Sequence, residues 1–213
     1  INRRSLLKAS LLLSTPPITP LFSLKAAGAA NIVIVGAGWG GLSAAKTLRN
    51  LNPKLNITII DKKDNFVSCP ISNWVIGQIK EMKDITFSYK KFIGNNRINF
   101  LNDNVNHIDL ERKKITLNDK TVFYDKLILS PGVQLKKKTI DGLSNYDNKD
   151  SVFISWEAGY ETSVFSNRIK ELKNKENIII SIPLSPYRCP PGPYERASLL
   201  AAYIKKNKIK SKI

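Results

Sequence analysis

Apolar positions change their period several times along the chain, and each change predicts an element. "NIVIV" (31–35) is a short β-branched run, the pattern of a strand covered on both faces. A helical stretch from about Gly40 to Leu51 follows, and "NITIID" (56–61) reads as a second strand. "RINFL" (97–101) reads as another. "VNHID" (105–109), "KKITL" (113–117) and "TVFYDKLILSPG" (121–132) are short alternating runs between polar turns, which predicts an antiparallel meander. It closes in a buried strand, "KLILS", and a turn at Pro131–Gly132. "NFVSCPISNWVIG" (65–77) reads as a loop. Further on, "ENIIISIP" (176–183) reads as a buried strand, and "ERASLLAAYIKK" (195–206) as a helix with Leu199, Leu200, Ala202 and Tyr203 on its apolar side. The order predicts an α/β fold: a Rossmann-type domain with a parallel sheet and an antiparallel meander, followed by the start of a second Rossmann-like domain.

The turn between the first strand and helix carries the chemistry. Gly36, Gly38 and Gly41 make G-x-G-x-x-G, with Gly40 inside it. The first glycine allows the tight turn, the second lets backbone approach a pyrophosphate, and the third lets helix pack on strand. The helix presents its amide end to the phosphates. Asp61 ends the second strand, where a carboxylate accepts hydrogen bonds from ribose hydroxyls and disfavours a 2′-phosphate. Strand, turn, helix, strand and acid in order predict dinucleotide binding. Trp39 lies at a variable position of the loop and reads as a surface or packing residue.

Composition changes the picture in three places. The 213 residues allow one domain and part of another. The net charge of +17 is dispersed, with short clusters at "KKK" (136–138) and "KKNKIKSK" (205–212). No arginine stripe is interleaved with aromatics, which argues against nucleic-acid binding; an acidic partner or anionic substrate suits such a field better. The single histidine, His107, falls inside the meander and reads as a strand side chain. With two distant cysteines, Cys69 and Cys189, that leaves no protein-built metal site to expect.

Residues 1–30 read as an address. Arg3 and Arg4 precede Ser5, Leu6, Leu7 and Lys8, the pattern of a twin-arginine export signal. Lys8 and the prolines at 16, 17 and 20 argue against a membrane span. "KAAGAA" (25–30) offers a cleavage site. The expected organisation is a signal over 1–30, a dinucleotide domain over 31–145 and the beginning of a second domain over 146–213, in a periplasmic protein free to form disulfides. The start at Ile1 and the strand-like ending "KIKSKI" suggest a piece of a longer chain.

Cys189 stands in "RCPPGPYERASLL" (188–200), a proline-rich loop at the mouth of a helix. The helix amino end and Arg188 are both expected to favour a thiolate there, the form that attacks disulfides and leaves well. Prolines at 186, 190, 191 and 193 stiffen the loop. Glu195 suits the helix start as a capping carboxylate. An inert thiol and a structural Cys69–Cys189 disulfide are the bland alternatives.

A Rossmann start, a meander and a closing strand with a Gly turn resemble the FAD domain of two-dinucleotide-fold flavoproteins. That resemblance implies that Gly132 approaches the flavin phosphates and that Val105 holds adenine by its backbone. "CPISNWVIG" and "PYRCPPGPYERASLLAAYIKK" resemble the flavoprotein subunit of flavocytochrome c sulfide dehydrogenase, a relative of sulfide:quinone oxidoreductase. This implies FAD bonded to Cys69 as a thioether at the flavin 8α carbon, which raises the flavin potential and prevents cofactor loss. It implies Cys189 as a redox cysteine paired with one beyond the chain end, sulfide as substrate and a c-type cytochrome as acceptor. Sulfide attacks the disulfide and leaves a persulfide. A quinone acceptor and a non-catalytic flavin-binding module are the rival expectations.

Overall fold

The computed structural model describes residues 29–136, 140–143, 152–182 and 184–213. The expected signal and most of the "KKK" cluster lie outside them.

Nine strands and six helices are formed among the described residues. The strands are β1 (Asn31–Val35), β2 (Asn56–Asp61), β3 (Asn65–Val67), β4 (Thr86–Ser88), β5 (Asn99–Asn102), β6 (His107–Asp109), β7 (Lys114–Thr116), β8 (Thr121–Phe123) and β9 (Lys126–Leu129). The helices are α1 (Trp39–Leu51), α2 (Ser72–Ile76), α3 (Met82–Ile85), α4 (Tyr89–Asn96), α5 (Tyr160–Lys170) and α6 (Gly192–Lys206).

β1 is central to a parallel sheet of order β5-β2-β1-β9. Ile32 pairs with Ile57 and Val33 with Leu127, so the strands run in near register. Alternation then sorts the side chains. Ile32, Ile34, Ile57 and Ile59 face α1 and α4, packing on Ala45, Tyr89 and Ile98. Val33 and Ile60 face the other way, onto Ile115, Leu117 and Tyr124 of the meander. Both faces are covered, which is why β1 is β-branched from Ile32 to Val35. The meander forms as expected: β6, β7 and β8 pair antiparallel, and His107 is an exposed strand residue opposite Thr116.

Several expectations fail. The 65–77 stretch is not only loop: β3 pairs antiparallel with β4, and α2 follows Cys69. Residues 176–182 do not form a strand. Lys175 N–H donates to the Lys210 carbonyl and Ile178 N–H to that of Lys212, two bonds rather than a ladder. Ile178 packs beside Ile76, Ile169 and Leu200, but Ile179 is 90% exposed. The strand-like "KIKSKI" is likewise irregular, lying along 175–178 through those bonds. On α6, Leu200 is buried as expected, whereas Ala202 is exposed.

Candidate functional site

The glycine turn sits at the carboxyl ends of β1 and β2. Gly36 has φ +100°, and its N–H donates to the Ile60 carbonyl at 2.8 Å. A Cβ on Gly36 would overlap the Ser130 carbonyl, and one on Gly41 would overlap that of Gly36. One on Gly40 would meet the Ser130 hydroxyl. Gly38, at the N-cap of α1, is different: a Cβ there meets nothing within 4 Å. Gly36 and Gly41 are thus required by packing against backbone, Gly40 faces only the rotatable Ser130 hydroxyl, and Gly38 borders open space at the helix amino end.

Asp61 reaches this turn. Its carboxylate accepts from Ala37 N–H at 2.6 Å and from Lys63 N–H at 2.8 Å. Tyr89, buried behind the turn, donates its hydroxyl to the Ala37 carbonyl at 3.1 Å. Burial, then the Asp61 and Asp64 carboxylates, hold its phenol well above the usual tyrosine range. The turn after β9 lies alongside: Ser130 N–H donates to the Val35 carbonyl, and Gly132 follows at φ +79° with nothing near its Cβ direction. Val105 comes just past β5 and packs its side chain on the meander cluster. Gly36, Asp61, Val105 and Gly132 therefore gather at one end of the parallel sheet, where open α/β sheets bind ligands. The open approach at Gly38 and the carboxylate at the strand end fit a dinucleotide. Trp39 is 59% exposed and meets Phe66 edge-on at 5.0 Å.

The two cysteines, far apart in sequence, face a common region. Both are free thiols. Cys69 precedes α2, and its Sγ lies 3.5 Å from the Trp156 carbonyl, to which it donates. Cys189 is exposed at φ +59°, just ahead of α6, in a turn closed by Gly192 N–H on its carbonyl at 2.9 Å. Arg188 is not turned toward its neighbour Cys189; its Nη2 stands 3.7 Å from Cys69 Sγ. The loop of one thiol thus touches the sulfur of the other.

Beneath them is a polar cluster. Glu195 does not cap α6; its Oε2 accepts from Asn73 Nδ2 at 2.9 Å. Asn73 Oδ1 accepts from Arg196 Nε at 3.0 Å. Arg196, 5% exposed, also donates to the carbonyls of Ser155 at 2.7 Å and Ile154 at 3.4 Å, and lies 4.0 Å above the Trp156 ring. Burial brings its guanidinium down to about 10, against the opposing pull of Glu161, Cys69 and Glu195. Asn73, Trp156 and Arg196 were not legible as site residues from motif matching. Among the described residues no His, Cys, Asp and Glu group could hold a metal, and no helix is long and apolar enough to cross a membrane.

The pyridine nucleotide-disulphide oxidoreductase model matches residues 30–164, the whole of the sheet and meander. The chain belongs to this family. A second model, the central region of the sulfide dehydrogenase (flavocytochrome c) flavoprotein chain, matches residues 162–213, which carry Cys189. The flavoprotein chain of that sulfide dehydrogenase from Chlorobaculum thiosulfatiphilum is 48% identical over 48 residues, covering 22% of this chain and 100% of the relative. The resemblance to that flavoprotein chain therefore holds, and a flavoprotein relative supports FAD as the dinucleotide. Sulfide-quinone reductase of Aquifex aeolicus is 25% identical over 186 residues, covering 87% of this chain and 42% of its own length. The solved sulfide:quinone oxidoreductase of that bacterium shares the fold, with TM-score 0.66 and 23% identity over 85% of this chain and 41% of that one. This member of the oxidoreductase family thus spans about two fifths of the length of those relatives.

Proposed function

We propose that the protein is a sulfide-oxidising flavoprotein whose FAD lies across the glycine turn and is held covalently by Cys69, with a c-type cytochrome as acceptor. The observation that carries the reading is the approach of Arg188 to Cys69 Sγ, which sets the redox-cysteine loop against the cofactor-bearing loop. Amides at the start of α1 bind the pyrophosphate through the space beside Gly38. Asp61 accepts from ribose, Val105 offers backbone to adenine, and Gly132 lets the turn after β9 approach the phosphates. FAD, when bound, would take up the electron pair and pass it on one electron at a time, which no side chain here does. Cys189 meets sulfide: in a disulfide with a cysteine outside this sequence, one S–S bond breaks and another forms as sulfide attacks, and the departing thiolate carries away the electron pair. The exposure of Cys189 leaves it open to a small anion.

Export by the paired arginines belongs to the same reading, since a covalent flavin is not lost outside the cell. Residues 162–213, which match the flavocytochrome c flavoprotein model, support a cytochrome as acceptor. The likeness to sulfide-quinone reductases over 87% of the chain favours a quinone as the second reading.

The full-length protein decides. Sulfide should drive reduction of cytochrome c faster than of a soluble quinone, and Cys189→Ser should abolish both while flavin is retained. After acid denaturation the polypeptide should stay yellow, and Cys69→Ala should release the colour. Colour released from the unmutated protein refutes the covalent bond; sulfide turnover unaffected by Cys189→Ser refutes the role of that thiol.

A further inference from the structure

Trp156 touches both cysteine loops. Its carbonyl lies against Cys69 Sγ, accepting from it while the thiol is free, and its ring edge packs on Gly192, where a Cβ would stand 2.7 Å from Cη2 and 3.1 Å from Cys189 Sγ. Trp156 thus joins the loops, its backbone to the Cys69 side and its ring to the Cys189 side, and the Arg196 guanidinium backs the face of that ring. Arg196 spends its donors on the segments that must be aligned. Nε holds Asn73 of α2, downstream of Cys69; Nη1 and Nη2 hold Ile154 and Ser155, the approach to Trp156. Arg196 itself lies on α6, downstream of Cys189.

Two strained residues flank this contact. Ser155 has φ +48° and Cys189 φ +59°, left-handed conformations costly for residues with a side chain. Such strain persists only where neighbours over-determine it. At Ser155 the neighbour is Arg196, which fixes its carbonyl at 2.7 Å.

We propose that Arg196, stacked on Trp156 and bonded to Asn73 and Ser155, is a positioning residue that clamps the Cys189 loop at a fixed distance from the Cys69 loop. The functional consequence rests on the reading of Cys189 given above; the clamp itself does not. Arg196 meets no substrate and acts through the two loops it joins. A lysine keeps the charge but cannot make the planar stack and forked contacts together.

Limited trypsin cleavage after Arg188 reports the clamp in the full-length holoprotein. Arg196→Gln should speed that cut about tenfold or more, since the loss of one charge-assisted hydrogen bond from a local opening equilibrium already gives about that factor and Arg196 makes three. Arg196→Lys should lie between, and Asn73→Ala, which removes the acceptor for Arg196 and the donor to Glu195, should move in the same direction. Ile115→Ala in the meander, a destabilised control, should leave the cut unchanged. Sulfide kinetics should show kcat falling about tenfold or more with KM held, the mark of lost alignment. An unchanged cleavage rate in both Arg196→Gln and Asn73→Ala overturns the clamp, whatever the activity. A faster cut in a protein that never oxidises sulfide upholds the clamp and defeats the functional reading.

Discussion

Gly38 and Gly41 belong to one fingerprint yet should fail in different ways. At Gly41 a methyl group would overlap the Gly36 carbonyl oxygen and approach Ile34 Cγ2 to 3.3 Å. The first obstacle is backbone fixed in the β1–α1 turn, so the overlap cannot be relieved by a rotamer change. Overpacking of this kind costs about 1–3 kcal/mol; toward its upper end, the loss lowers the melting temperature by roughly 5–10 °C. At Gly38 a methyl group meets nothing within 4 Å, and φ is −78°. Alanine there gains ~0.4–1 kcal/mol by restricting the unfolded chain and gives back a similar amount as a poorer N-cap than glycine. Gly38→Ala should therefore melt within a degree or two of the parent, by about 2–4 °C per kcal/mol. Its effect should fall on the dinucleotide, since the methyl occupies the space by which a phosphate approaches. FAD affinity should drop about tenfold or more, equivalent to about 1.4 kcal/mol. Thermal unfolding is measured on FAD-free full-length protein and FAD binding by titration, both in a Cys69→Ala background, so that neither bound ligand nor a covalent bond masks the separate effects. If Gly38→Ala loses as much melting temperature as Gly41→Ala, or binds FAD like its parent, the separation of packing glycines from a phosphate-facing glycine is wrong.

Two further outcomes follow from side chains around the same turn. Tyr89 titrates above its ordinary value of about 10, so its neutral form supports the fold fully below that pH, and support is lost as pH rises and the unfolded chain ionises first. Tyr89→Phe should cost about 1 kcal/mol at neutral pH for the hydroxyl bond to Ala37, yet flatten the fall in stability above about pH 10; a fall as steep as the parent's removes Tyr89 as its cause. Arg49 donates to the carbonyls of Pro53, Leu55, Asn96 and Arg97 at 2.7–2.8 Å, tying the end of α1 to two loops. Arg49→Ala should lower the urea midpoint by an amount equal to about 3 kcal/mol or more with the slope unchanged, and a midpoint shift worth under about 1 kcal/mol counts against those bonds.

How far these elements were legible depends on where their neighbours come from. β1 and β2 are covered on both faces by a helix layer and the meander, and continuous β-branched runs report that directly. The meander shows by alternation. The same cue misleads at 176–182, where β-branched residues lack a ladder partner and Ile179 meets solvent. β3 and β4 are too short for any period to register. Motif spacing singled out the glycines and Asp61, and resemblance singled out the two thiols, but neither singled out the cluster joining the thiol loops, because it is built from residues distant in sequence. One signal was present. Arg196 recurs with Leu200 and Ile204 at helical spacing, and all three are buried on α6. A charge on an apolar stripe demands partners, and Asn73 and the 154–155 carbonyls are those partners.

Asn73 leaves little choice at its position. Its oxygen answers a cation and its nitrogen answers an anion, Arg196 on one side and Glu195 on the other. Aspartate would satisfy the first and repel the second; a cationic replacement would do the reverse. Glutamine has both polarities but an extra methylene in a residue that is already enclosed. The side-chain amide thus works as a two-faced adaptor between neighbouring residues of opposite sign, and its orientation is fixed by them rather than by the fold around it.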